Sequence, residues 1–462
     1  MFSFWRKPCD SQLTKRLSLL KSVKTLIVAL VMWAGSSLAI ACPSLQSYYL
    51  QEQSAEQDPQ LALQLEAELA AMMSQCLRSS EYFALFGAVQ MRMGKLAEAL
   101  ETLERALLLD PDNGAAQIDY AQALYQRGQL FSALDLNGQI LGRNDAPDNL
   151  RIALEQRDEL WRSQTRQMGF QADLLAGYDD NLNGAPDPSQ ITLTLSGEPV
   201  LLPLSEEYRP QSGPYLNGRV AGRFTQFAPG HRHNGSAELR GRLSEDSQSD
   251  ILQFDTRYAF ELPAKDHQWR FNAGLAHLVF GGTSLYSAST IGAHYQSASS
   301  EVCSNAYGLE LQHQLYHRQD QLDAVETRIS AGRNCVVSLA SWRSRIGLEL
   351  ALINNNSQGA SRPGGDRQAW QASIDWQFPL YRGILSSQIN YTNTEDDRGY
   401  SPVLLDDLSR EVQRYYVLLQ YRQQIGAKSS FLMNFFHQHQ DSNIPLFDSL
   451  NTTLELGVNY RF

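Results

Sequence analysis

The last nine residues, Leu454-Glu455-Leu456-Gly457-Val458-Asn459-Tyr460-Arg461-Phe462, divide cleanly by parity. Leu454, Leu456, Val458, Tyr460 and Phe462 fall on one side, and Glu455, Gly457, Asn459 and Arg461 on the other. Side chains of a strand alternate between two faces, so this segment has one face suited to lipid and one suited to water. The same alternation runs through Leu252–Leu262, where Leu252, Phe254, Thr256, Tyr258 and Phe260 oppose Gln253, Asp255, Arg257, Ala259 and Glu261. It recurs at Trp370–Phe378. Long strands of this kind with aromatic residues at their ends are the signature of a membrane-spanning β-barrel rather than of a soluble sandwich.

Working outward from these three, alternating segments fall at 168–181, 214–227, 235–245, 250–262, 268–280, 285–296, 304–316, 322–333, 337–353, 368–379, 383–394, 411–424, 428–439 and 451–462. Fourteen is an even number, as single-chain barrels require. The long connections, 182–213, 354–367, 395–410 and 440–450, all follow odd segments, and the short ones, 263–267, 380–382 and 425–427, follow even segments. In outer-membrane barrels the short turns face the periplasm and the long loops face outside. The spacing therefore predicts a fourteen-stranded antiparallel transmembrane barrel over 167–462, with both of its ends on the periplasmic side.

Parity also assigns the lumen. It receives Arg219, Arg223, Arg240, Arg242, Arg257, Arg270, Arg328, Arg343, Arg345, Arg414, Arg422 and Arg461, together with Glu238, Asp255, Glu261, Glu310, Glu326, Glu349, Asp375 and Glu455. Such mixed signs suit a ladder of ion pairs that stiffens the wall; a conduit for anions would carry fewer acids.

Before the barrel the period changes to that of helices. Counting from Ser80 as the first position of a 34-residue repeat, Phe83, Phe86, Gly87, Gly94, Ala99, Leu103, Ala106 and Pro111 occupy the large, small, turn and helix-stopping positions of a tetratricopeptide repeat. A weaker unit follows from Gly114, with Tyr120, Ala121, Leu124, Gly128, Ala133 and Pro147. Amphipathic helices flank both. The predicted fold class is thus multidomain α + β, with a tetratricopeptide-like solenoid at 42–165 ahead of the barrel. Arrays of this kind bind proteins or peptides and carry no chemistry of their own; Tyr120 and Tyr125 are the expected partner-groove residues.

Residues 1–24 carry Arg6, Lys7, Lys15, Arg16, Lys21 and Lys24 against a single acid, Asp10, and an almost uncharged run follows to Ala41. With its Ala39-Ile40-Ala41 exit, segment 1–41 reads as a cleaved signal peptide. Cleavage removes Cys9 and leaves Cys42, Cys76, Cys303 and Cys335. An even number in an exported chain suggests disulfides, most simply Cys42 with Cys76 and Cys303 with Cys335. Cys42 directly after Ala41 also fits a lipidation site, which would forbid the first bridge.

The whole chain has 462 residues, a net charge of −11, 43% apolar and 19% charged residues. That balance argues against a nucleic-acid binder, which needs a basic face. The abundance of Tyr and Phe, 20 and 18, argues against wholesale disorder. His231-Arg232-His233 and His437-Gln438-His439 lack a third ligand, and Asp179-Asp180-Asn181 lacks the rest of a calcium loop. No nucleophile elbow, phosphate loop or metalloprotease helix occurs, so no enzymatic activity, cofactor or metal is expected.

The signal, the short repeat domain and the barrel closing on Phe462 together resemble the surface lipoprotein assembly modifier (Slam) family, over essentially the whole mature chain. The most specific local element of that resemblance is Gly177-Tyr178-Asp179-Asp180-Asn181-Leu182-Asn183. The resemblance implies an outer-membrane protein of a Gram-negative bacterium that delivers lipoproteins or related secreted proteins to the cell surface. Its helical domain would lie in the periplasm and meet cargo or periplasmic chaperones, and its barrel would sit in outer-membrane lipid. Phe462, on an aromatic alternating strand, looks like the C-terminal signal read by the barrel-assembly machinery. The alternative is an exopolysaccharide export porin, which also joins such repeats to a barrel but has longer arrays and a strongly biased lumen.

Overall fold

The computed structural model describes residues 42–54, 59–145, 147–339, 342–359 and 361–462. The expected signal peptide lies outside the described residues. The chain forms two compact units that meet in sequence between Trp161 and Arg162.

The first unit holds, among the described residues, seven helices: α1 (Gln46–Ser54), α2 (Pro59–Met72), α3 (Ser80–Arg92), α4 (Leu96–Leu109), α5 (Gly114–Gln126), α6 (Leu130–Leu141) and α7 (Asp148–Ser163). Their order reveals a longer array than sequence alone suggested. Helices α1, α3, α5 and α7 begin at residues 46, 80, 114 and 148, each 34 residues after the last. The flanking helices are therefore further repeat members in the same phase, with α7 closing the array. The unit beginning at Gln46 escapes the sequence pattern because Glu52 and Gln53 stand where the next unit has Phe86 and Gly87.

Phase repeats down to single hydrogen bonds. Ser79 Oγ accepts from the Tyr82 N–H at 3.2 Å, and Asn113 Oδ1, 34 residues on, accepts from the Ala116 N–H at 3.1 Å. Each satisfies an otherwise orphaned donor at a helix start. At Gly87 the pairing of α3 with α4 is so close that a Cβ would lie 2.5 Å from Leu103 Cγ. Two apolar clusters form the interior, one around Leu65, Leu69, Tyr82, Phe83 and Phe86, the other around Leu103, Ala121, Leu124 and Trp161.

The second unit is a closed barrel of fourteen antiparallel strands among the described residues. They are β1 (Arg166–Asp179), β4 (Gly213–Ala228), β5 (His231–Ser244), β6 (Ile251–Pro263), β7 (His267–Phe280), β8 (Thr283–Ala298), β9 (Cys303–Tyr316), β10 (Ala324–Leu339), β11 (Trp342–Ser357), β12 (Arg367–Leu380), β13 (Gly383–Gly399), β14 (Ser409–Gln424), β15 (Ser429–Ser442) and β16 (Ser449–Arg461). Each pairs with its neighbours in chain order, and β1 closes the sheet on β16 with Leu174 opposite Val458. Closure leaves no strand edge unpaired, which a bilayer demands.

Exposed Leu174, Val220, Leu239, Phe254, Leu275 and Ile291 share the outer face by register. On one end Trp269, Tyr295 and Tyr307 pack in a row, with centroids 4.9 and 6.4 Å apart. Apolar belts edged by aromatic rings are what a membrane-spanning barrel presents to lipid.

The strands are longer than their sequence limits. The eighth segment, expected to stop at Arg333, continues as β10 to Leu339, because the alternation and its pairing with β11 do not break at Asn334 and Cys335. The connection expected at 182–213 is partly structured: β2 (Gln190–Leu195) and β3 (Glu198–Pro203) form a separate hairpin. The hairpin is tied to a second loop through Thr194 N–H to Val403 O at 2.9 Å, and the segment leading into it is tied to a third through Asp187 N–H to Asp448 O at 2.9 Å.

Candidate transport lumen

Because the pleat alternates, the register that places Val220 outside places Arg219 inside, and the inner wall becomes a chain of charge pairs. Arg219 donates to Asp173 at 2.9 Å and to Glu238 at 2.5 Å, and Arg240 takes the other oxygen of Glu238 at 2.8 Å. Glu261 is shared by Arg232 and Arg270, the latter at 2.8 Å. Arg328 pairs with Glu349 at 2.6 Å. Glu455 accepts from Tyr215 at 2.9 Å, Asn217 at 2.8 Å and Asn434 at 2.8 Å, linking strands on both sides of the β1–β16 seam. Apart from Arg240 and Glu238, which share β5, these groups bridge neighbouring or next-nearest strands and hold the wall in register.

Not every lumen charge takes part. Asp255 accepts from Gln253 at 2.7 Å, and Glu326 accepts from Gln314 at 3.2 Å and Asn355 at 3.1 Å. Arg257, Arg343 and Arg345 face inward by register, with no ion pair to any described residue.

The Gly177–Asn183 stretch is a latch where β1 leaves the sheet. A Cβ on Gly177 would meet the Tyr215 ring at 2.6 Å, so glycine alone lets that ring reach Glu455. Asp179, buried, accepts from the Asn181 N–H at 2.8 Å, from Asn451 at 2.8 Å and from Arg242 at 2.9 Å. Asn181 is itself buried and donates to Ala185 O at 2.9 Å and Leu450 O at 3.0 Å. Asp180 accepts from the Thr452 N–H. The stretch thus pins the start of the long loop to β16 and β5.

At the opposite end, Cys303 and Cys335 are direct cross-strand neighbours and are bonded, with Cα atoms 4.1 Å apart. In the helical unit Cys42 is bonded to Cys76, their Cα atoms 4.7 Å apart, which leaves Cys42 no free thiol for a lipid. Tyr120 and Tyr125 are partly buried against the second apolar cluster. Tyr125 stacks on Trp161 at 4.7 Å, so its ring supports the closing helix. The paired histidines hold hydroxyl groups: His233 shares a hydrogen bond with Tyr258 at 2.6 Å, and His437 with Thr452 at 3.0 Å.

Two polar centres were not legible in the sequence. In the helical unit Asn137, fully buried, occupies the repeat position held by Leu103 one unit earlier. It accepts from Arg157 at 2.6 and 3.0 Å, and Arg157 lies 4.7 Å over the Trp161 ring. Nearby, burial first and then the charge of Glu52 push the Asp119 carboxyl up to about 6, against the pull of Arg92 and Arg157. In the barrel, Arg362, Arg367 and Arg410 converge on Asp396. The sequence limits placed all four in connections, and only the longer strands bring Arg367, Asp396 and Arg410 into the inward parity.

Residues 90–154 match the family model described as tetratricopeptide repeat. No curated protein is significantly similar to the sequence. Among solved structures, the helical unit is similar to the Yersinia enterocolitica type III secretion chaperone SycD in complex with a peptide of the translocator YopD. The identity is 18% over 26% of this chain and 93% of that one, with a TM-score of 0.23. The barrel is similar to a loop-deletion mutant of OmpT, an outer membrane protein of Vibrio cholerae, at 7% identity over 64% and 100% of the two chains and a TM-score of 0.34. It is also similar to an anion-selective porin from Comamonas acidovorans, at 10% identity, 64% and 99% coverage and a TM-score of 0.33. A tetratricopeptide repeat joined to a closed barrel with an apolar outer face and a polar interior suits a transport role at an outer membrane.

Proposed function

We propose that this protein helps deliver lipoproteins, or related secreted proteins, through the outer membrane to the cell surface. The observation that carries this reading is the union in one chain of an array of 34-residue helical repeats, a form that binds polypeptides, with a closed barrel. A simple diffusion pore has no use for such an array. In this reading the helical unit stands in the periplasm and receives cargo or a chaperone carrying it, and the barrel guides the cargo outward. The protein performs no covalent chemistry. The chain enters β1 and leaves β16 at the barrel end that carries the short turns, which is the periplasmic end in barrels of this class.

The test is mass spectrometry of peptides shaved from intact cells with and without the gene, normalised to whole-cell abundance. The expected result is loss from the surface of one or a few lipoproteins that remain in the cell. An unchanged surface proteome with altered extracellular polysaccharide would transfer the protein to polysaccharide export.

A further inference from the structure

We infer that the lumen wall formed by the starts of β12 and β14 and the end of β13, together with residues 361–366 just before β12, is a binding site for an oxyanion of the phosphate class. Three guanidiniums meet there around a single carboxylate. Arg410 Nη2 donates to Asp396 Oδ1 at 3.0 Å, and Arg367 Nε approaches the same oxygen at 3.3 Å, off the line of a hydrogen bond. Arg362, only 5% exposed, lies in the field of Asp396 and Asp366 but makes no ion pair within 4 Å among the described residues; its Nη1 is held by the Asn355 side-chain oxygen at 2.6 Å. Each of the three lies within electrostatic range of the others.

Two other acids nearby keep their charge but are held by neutral donors. Asp366 accepts from the N–H and hydroxyl of Ser357 at 2.7 and 2.9 Å, and Glu326 accepts from Gln314 and Asn355. Among the described residues, the buried Nε groups of Arg362, Arg367 and Arg410 have no hydrogen-bond partner, and neither has Oδ2 of Asp396. Arg410 is fixed from behind by the rings of Tyr400 at 4.9 Å and Phe447 at 4.6 Å, so it cannot swing out to water without leaving them.

A buried charge without a counter-charge is strongly unfavourable, and three guanidiniums facing the carboxylates of Asp396 and Asp366 leave one positive charge in excess, which suits a ligand of one negative charge. Planar forks of N–H donors match the oxygens of phosphate better than they match chloride. The inference does not depend on what the barrel transports. A free ion and a phosphate carried on a polypeptide share this chemistry, and the test separates them.

Full-length protein in detergent micelles would be titrated by calorimetry with inorganic phosphate, and separately with a phosphoserine peptide, in chloride buffer at neutral pH. One site per chain is expected, weakened about tenfold or more in Arg362→Gln, as loss of a charge-assisted hydrogen bond implies. Arg240→Gln, elsewhere on the lumen wall, should bind as wild type does. Arg362→Lys keeps the charge and loses the fork; it serves if the glutamine variant fails to fold, and should weaken binding by a smaller factor. Binding of the free ion alone identifies a dissolved anion as the ligand, and binding of the peptide alone identifies a carried phosphate. No binding of either, or affinities unchanged in both Arg362 variants, would overturn the inference.

Discussion

Arg242 Nη1 donates to Asp179 Oδ2 at 2.9 Å, while Nη2 of the same guanidinium holds Leu182 O at 2.6 Å and Ser249 O at 2.9 Å. One side chain on β5 thereby fixes the end of β1, the entrance to the long loop and a neighbouring turn. Removing one partner of a buried, hydrogen-bonded charge pair costs about 3–5 kcal/mol. Arg242→Ala should therefore release the 180–212 loop, with proteolytic cleavage there rising at least about tenfold. Limited proteolysis of the folded barrel measures this, and cleavage at the wild-type rate would show that the hairpin contacts alone hold the loop.

Asp119 gives the helical unit a pH response of known sign. Its folded value, about 6, lies above the ordinary aspartate value, so the folded state holds the proton more tightly than the unfolded state does. Its contribution is fully present below about pH 4 and is lost as pH rises through about 6. Asp119→Asn removes the dependence and should stabilise the unit at neutral pH by about 1–2 kcal/mol. Amide hydrogen exchange of α5 in the full chain, at pH 5 and 7.5 and expressed as protection factors relative to the intrinsic rate at each pH, should show higher protection at the lower pH in wild type and equal protection at both in the variant.

The two disulfides should differ in their effect. Cys42–Cys76 closes a 34-residue separation in a small helical unit, and its loss is expected to cost about 3 kcal/mol there. Cys303–Cys335 closes a nearly equal separation of 32, so its loss costs a similar free energy, but in the larger barrel that cost moves the melting midpoint by only about half as much. Far-ultraviolet melting of Cys76→Ser and Cys335→Ser separates the two, and equal shifts would contradict this account.

Gly87→Ala tests the repeat packing directly. The added methyl would meet Leu103 inside the apolar interior, and overpacking of that kind costs about 1–3 kcal/mol. Ala at Gly114, where nothing lies within 4 Å, is the control. A melting loss confined to the helical unit and to the first variant is expected.

How far the sequence could be read follows from where each signal is local. The barrel was legible because a period of two marks every strand, as at Leu454–Phe462, and because inward arginines fall on the parity opposite the leucines. Strand ends were not legible, since near the rims both faces are polar: Arg367, Asp396 and Ser409 break no pattern that their strands could be seen to follow. That is why the Arg362–Arg367–Arg410 cluster remained hidden. The helical unit beginning at Gln46 was hidden for another reason. Its phase is kept by helix positions in space, while the residues that announce the phase, a large ring and a glycine, are replaced by Glu52 and Gln53.

Phe462 separates assembly from stability. Its N–H donates to Phe170 O at 3.0 Å, adding one bond to the seam, and its exposed ring meets that of Tyr460 edge to face, with centroids 5.0 Å apart. Phe462→Ala keeps the backbone bond and removes little buried area, so the assembled barrel should melt within about 0.5 kcal/mol of wild type. If the terminal ring is read during insertion, the amount of heat-modifiable barrel recovered from membranes should nevertheless fall several-fold. Full yield in the variant would remove Phe462 as an assembly signal, whereas a matching fall in melting would reassign the residue to holding the seam.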